Sequence, residues 1–162
     1  MFNKTSAIAI AIAITVGAVF AMASFASDNR TAHHTRQLAI FAVVTAYTQV
    51  DVDGDGKLSV GDTLVLQLND YDKQGGTQIG TGTVTCVAID ATAGNFDCQG
   101  SDALTGGEIR ESGRVLGSDL THFHWAVTGG TDKYRGVTGQ LDGTFVDPQL
   151  TQATATFTLL DR

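Results

Sequence analysis

Beyond residue 36 apolar and polar residues alternate over short stretches that end at Gly, Asp or Asn, and no helical periodicity is present. The alternation predicts eight strands, at Leu38–Thr48, Thr63–Asn69, Gly80–Asp90, Asn95–Leu104, Glu108–Val115, His122–Thr128, Val137–Phe145 and Ala153–Leu160. Single faces read clearly: Leu64, Leu66 and Leu68 on the second strand, Phe123, Trp125 and Val127 on the sixth, and Ala153, Ala155, Phe157 and Leu159 on the eighth. Eight antiparallel strands can close into a barrel and leave no exposed edge. A barrel of that size is filled by side chains or holds one small ligand. A two-sheet sandwich of the same strands is the open alternative.

The turn Thr92-Ala93-Gly94 makes the third and fourth strands a hairpin. Pairing about it sets Cys86 opposite Cys98, which predicts a cross-strand disulfide.

The start of the chain has a different pattern. Lys4 precedes the apolar run from Ala7 to Phe20, and small residues follow at Ala21-Met22-Ala23 and Ser24-Phe25-Ala26. This is the layout of a cleavable secretory signal over residues 1–26, cut after Ala26 with Ala23 as second choice. A membrane anchor needs about 20 apolar residues, more than this run supplies. The reading predicts a secreted or periplasmic protein, unattached to membrane after cleavage, with a disordered polar segment at 27–36 and one domain over 37–162. Export also suits a disulfide better than a two-thiol metal site, since His33, His34, His122 and His124 have no ligand spacing with the cysteines.

The formal charge is −7. Losing residues 1–26 removes Lys4 and no acid, leaving nine basic and seventeen acidic residues and a charge of −8. With no Lys/Arg cluster, nucleic acid and anionic membrane surfaces are excluded as partners.

Two motifs carry candidate chemistry. Residues 51–62, DVDGDGKLSVGD, match a calcium loop at its first, third, fifth and sixth positions, with an acid at the twelfth. Asp51, Asp53, Asp55 and Asp62 are the candidate ligands; a solvated Asp/Gly turn between two strands is the alternative. The second motif, Gly129-Gly130-Thr131-Asp132-Lys133-Tyr134-Arg135-Gly136-Val137-Thr138-Gly139, joins two strands, so it lacks the helix N-terminus of a phosphate loop.

That segment resembles the GGTGxYxGxxG stretch of the allene oxide cyclase and dirigent families. Further segments in the same order are similar too: Ser59-Val60-Gly61-Asp62 to their SxGD, Asp70-Tyr71-Asp72 to their L/I-Y-D turn, Gly80 with Cys86-Val87 to GxCxxI/V, and Gly107-Glu108-Ile109 with Gly113 to GxIxxxG. The resemblance implies an eight-stranded antiparallel β-barrel with an apolar lumen. It also implies a small hydrophobic molecule as partner, no cofactor beyond the possible calcium, and a homo-oligomer. The implied activity is cyclisation or stereoselective coupling by fixing one conformer of a reactive substrate. The glutamate that the plant cyclases use on their first strand has no counterpart in Leu38–Thr48, and Leu68 stands where they carry an Asn. Cys86 matches a cysteine that lines their cavity.

For polar lumen groups, Glu108, Arg110 and Ser112 share one face of the fifth strand, and His122 and His124 one face of the sixth. Facing inward they would bring an acid, a base and a cation together. Facing outward they would leave Ile109, Val115, Phe123, Trp125 and Val127 to fill the barrel. Tyr71 and Tyr134 are candidates for a ligand-binding rim. The alternative function is a non-catalytic small-molecule carrier or structural barrel, with calcium at the 51–62 loop as its stabiliser.

Overall fold

The computed structural model describes residues 34–161. The expected signal peptide, its cleavage site and most of the polar segment after it lie outside the described residues.

Eight strands run β1 (Thr35–Val50), β2 (Thr63–Tyr71), β3 (Gln78–Asp90), β4 (Asn95–Leu104), β5 (Gly107–Val115), β6 (His122–Gly130), β7 (Thr138–Phe145) and β8 (Gln152–Leu160), with one 3-10 turn at Asp132–Tyr134. Each pairs antiparallel with the next, and β8 pairs with β1, closing the barrel. The barrel, rather than the sandwich, is therefore the architecture. β1 begins at Thr35, inside the segment expected to be disordered, because Thr35 and Arg36 pair with Leu160 and Leu159 of β8. At its other end β1 runs past β8: the ladder with β8 stops at Val43, while the ladder with β2 continues across a bulge at Val44/Ala46 to Val50.

Alternation along the strands sets the inner face. Ile109, Phe157 and Leu159 are fully enclosed, joined by Ile40, Val84, Trp125 and Leu141. Cys86 and Cys98 pair across the β3–β4 ladder, both inward, and are bonded as a disulfide.

The connections divide between two ends. One end carries the loops 51–62, 91–94, 116–121 and 146–151; the other carries 72–77, 105–106 and 131–137. The second end is plugged by Tyr134, which is buried with Leu104, Val137 and Leu159. The Arg36 guanidinium stacks on the outside of that ring, 5.1 Å from its centroid.

Candidate functional site

Between the walls lies a cavity of about 100 Å³. Its sides are apolar, among them Ile40, Leu68, Val84, Trp125, Leu141 and Ala155. Toward the 51–62 end it reaches Val44, Val115, Phe145 and Thr151, at or beside strand termini. Toward the plugged end it meets two carboxyl groups, Asp102 on β4 and Glu111 on β5, both buried. A third, Asp70 on β2, is fully buried near the same level, one residue before the end of its strand.

The pairing register shows how the barrel holds three acids. Asp70 lies opposite Gly80, Asp102 opposite Gly82 and Glu111 opposite Gly100. A Cβ at Gly82 would stand 2.6 Å from Asp102 Oδ1, and one at Gly100 would overlap the Glu111 carboxyl. At Gly82 and Gly100 the missing side chains are thus the space that Asp102 and Glu111 occupy, whereas a Cβ at Gly80 would meet Ala103 and Leu104.

The electrostatics follow from burial. Removing a carboxylate from water disfavours its charged form, and neighbouring carboxylates add repulsion. Burial raises Glu111 to about 8, helped by the charges of Asp70 and Glu108. Burial pushes Asp102 well above the usual carboxyl range, with Glu111 and Asp70 adding to it. Asp70 is also raised by burial, less so because Asp102 hydrogen-bonds it. Among the described residues no N–H or hydroxyl reaches either Asp70 oxygen or Glu111 Oε2. The interaction between the Asp102 and Asp70 carboxyls lowers Asp70 and raises Asp102. At neutral pH the cluster holds more protons than three ordinary acids would. It can hand a proton or a hydrogen bond to an acceptor in the cavity, or it can ionise against a cation.

The residues singled out by sequence fall elsewhere. Glu108 and Arg110 lie on the outer face of β5, where Arg110 Nε donates to Glu108 Oε1 at 2.6 Å and holds that carboxyl below its ordinary range. His122 and His124 face outward on β6, against Asp119 and Asp142 respectively. The contact with His122, with help from Thr121, lowers Asp119 to about 2. His122 and His124 line an external groove with Asp119 and Asp142, and none of Glu108, Arg110, His122 and His124 lines the lumen. Tyr134 belongs to the plug, and Tyr71 sits half-buried at the plugged end; neither lines the cavity. Cys86 does line it, as a disulfide sulfur rather than a thiol.

In the 51–62 loop, carboxylate oxygens of Asp51, Asp53 and Asp55 lie within 4.8 Å of one another. Asp51 accepts backbone N–H bonds from Gly54 and Gly56, which hold its carboxyl below the ordinary range. Asp62 turns inside the loop, accepting from the Val52 and Ser59 N–H groups at 2.9 Å each.

Asp70, Asp102 and Glu111 are not singled out by sequence, yet alternation carries their signal. Asp70 is the next step after Leu64, Leu66 and Leu68, and Glu111 falls in step with Ile109 and Val115.

The site and fold define a class: a closed eight-stranded antiparallel barrel with an apolar lumen and acids at its inner end. Neither a protein-family model nor a curated protein matches the chain. Solved structures do. The chain has the fold of a pyocyanin demethylase (21% identity, TM-score 0.63, 76% of this chain and 99% of that one). It shares the fold equally with the exo-specific intermolecular Diels-Alderase AbnU (18%, 0.65, 80% and 98%). The pterocarpan synthase dirigent protein GePTS1 is a third (14%, 0.64, 79% and 88%). The barrel is thus the one shared by dirigent proteins and cycloaddition enzymes.

Proposed function

We propose that this protein is an exported barrel that binds a small hydrophobic molecule in its lumen and steers its cyclisation or coupling by orientation, without a cofactor. The observation that carries the reading is the apolar cavity ending on Asp102 and Glu111. Apolar walls select and restrain a ligand, while a protonated acid held in a dry site supplies a proton where charge develops. The neighbours with this fold include a Diels-Alderase and a dirigent protein, which supports the same direction. The leader-like sequence and the disulfide support export.

The enclosed space sets the scale. A cavity of roughly 150 Å³ accommodates benzene, so about 100 Å³ takes one ring or one end of a longer molecule. The remainder of such a ligand would extend toward Val44, Val115 and Phe145.

Native mass spectrometry of protein secreted by its own host tests the reading. A retained organic compound, absent from a Val84→Trp variant that fills the cavity, is the expected result. Loss of turnover of that compound in Glu111→Gln with binding retained would separate catalysis from passive carriage. An empty wild-type protein that also fails to take up any apolar probe would overturn the reading.

A further inference from the structure

Resting on that reading of the lumen as a binding site, we propose that its ligand class is an apolar molecule carrying one positively charged nitrogen, bound with the nitrogen against Asp102 and Glu111. Asp102 and Glu111 line the inner end of the cavity, Asp70 interacts with Asp102, and each of the three is more than nine-tenths buried. Both Asp70 oxygens and Glu111 Oε2 have no donor from another residue type among the described residues. Nothing inside the protein neutralises them: among the described residues no Lys, Arg or His side chain lines the cavity. The walls facing the acids from β1, β3, β6, β7 and β8 are Ile40, Val84, Trp125, Leu141 and Ala155. The titratable groups near Glu111 are Asp70 on β2, Asp102 on β4 and, across the wall, Glu108 on the outer face of β5. Of the cations at the plugged end, Arg36 is engaged by Asp161 and stacked on Tyr134, and Lys133 lies over the same ring.

A buried acid cluster without a counter-charge is costly to build, and a structure keeps it where something complements it. A neutral acceptor needs one proton donor, whereas Asp102 and Glu111 at one cavity end, with Asp70 beside Asp102, supply a negative field as they ionise. An ammonium or aromatic nitrogen cation satisfies that field directly. Trp125 in the wall adds an aromatic neighbour of the kind that attracts cations.

The two ligand chemistries respond oppositely to pH. A fixed cation gains affinity as the acids ionise; a neutral molecule gains nothing from ionisation, and an acceptor that needs the acid proton loses affinity. The test uses three probes of one shape: N-methylquinolinium (a fixed cation), neutral 1-methylnaphthalene and anionic 1-naphthoate, titrated calorimetrically into the full protein. The expected result is about tenfold tighter binding of N-methylquinolinium than of 1-methylnaphthalene near pH 8.5, shrinking to within about threefold near pH 5.5 as the acids protonate. Glu111→Gln and Asp102→Asn should each reduce the cation's advantage while 1-methylnaphthalene still binds, so loss of fold in one variant leaves the other, and the wild-type pH series, to decide. Binding of the neutral probe with no cation advantage, tightest binding of 1-naphthoate, or a cation advantage that survives both substitutions overturns this inference alone. Binding of none of the three, nor of the single-ring pair N-methylpyridinium and toluene, removes the lumen reading itself, and this inference with it.

Discussion

Glu111 lies across the β4–β5 ladder from Gly100, and its carboxyl fills the place that a Cβ at position 100 would take. Gly100→Ala therefore forces the carboxyl to move within a packed wall. The expected cost is about 1–3 kcal/mol, the range for overpacking. In a Glu111→Ala background the collision partner is gone and the same substitution should cost little. A double-mutant cycle by urea denaturation measures that coupling directly.

Stability should fall as pH rises through the neutral range. Glu111 is raised to about 8 in the folded protein, against about 4.3 for an unperturbed Glu. Such a group costs nothing below its unfolded value, where it is neutral in both states. The penalty grows with pH between the two values, because the unfolded chain releases the proton first. Between about pH 5.5 and 8.5 the loss from this one group is on the order of 3 kcal/mol. Urea titrations across that window should show the slope, and Glu111→Gln should flatten it. An equal slope in that variant would mean Asp102 and Asp70 carry the effect instead.

Reduction of the Cys86–Cys98 bond, which spans a sequence separation of 12, should lower stability by about 3 kcal/mol through the freedom returned to the unfolded chain. Thiol titration of the unreduced, unfolded protein should find no reactive group, and denaturation with and without reductant gives the size of the change.

Asp62 fastens the 51–62 loop from within, so Asp62→Ala should make that loop the first site of limited proteolysis while the barrel stays folded. The same digestion with calcium examines Asp51, Asp53 and Asp55. Protection by the ion that Asp53→Asn abolishes would assign it to these carboxylates. Cleavage indifferent to calcium would leave them as backbone caps.

On the outer wall, Arg110→Ala should change stability by under about 0.5 kcal/mol, because the pair with Glu108 is surface-exposed. Probe binding in the lumen should be unaffected, as measured by the same calorimetry.

The strands were legible because their bounds are local. Turn residues delimit β4 on both sides, so its predicted and observed limits coincide at Asn95–Leu104. The first residues of β1 were not legible: Thr35-Arg36-Gln37 is polar and becomes a strand only through β8, at the far end of the chain. The acids fall between these cases. Parity places Asp70 and Glu111 inward, but an isolated strand with an inward acid looks like a broken pattern. For Glu111 what makes it tolerable is Gly100 on the neighbouring strand, and that pairing is set by the ladder rather than by adjacent residues. Glu108, Arg110, His122 and His124 are the more conspicuous chemistry in the sequence because solvent accepts them without compensation.

The alternation of loops between the two barrel ends has a consequence for how such a protein can diversify. The segments 51–62, 91–94, 116–121 and 146–151 border the end of the cavity away from the acids, while Asp70 and Asp102 sit beside the opposite rim. Lengthening or exchanging those four segments would alter which molecules gain entry without disturbing the charge they meet inside. Selection for admission and selection for chemistry can therefore proceed on separate parts of one short gene product.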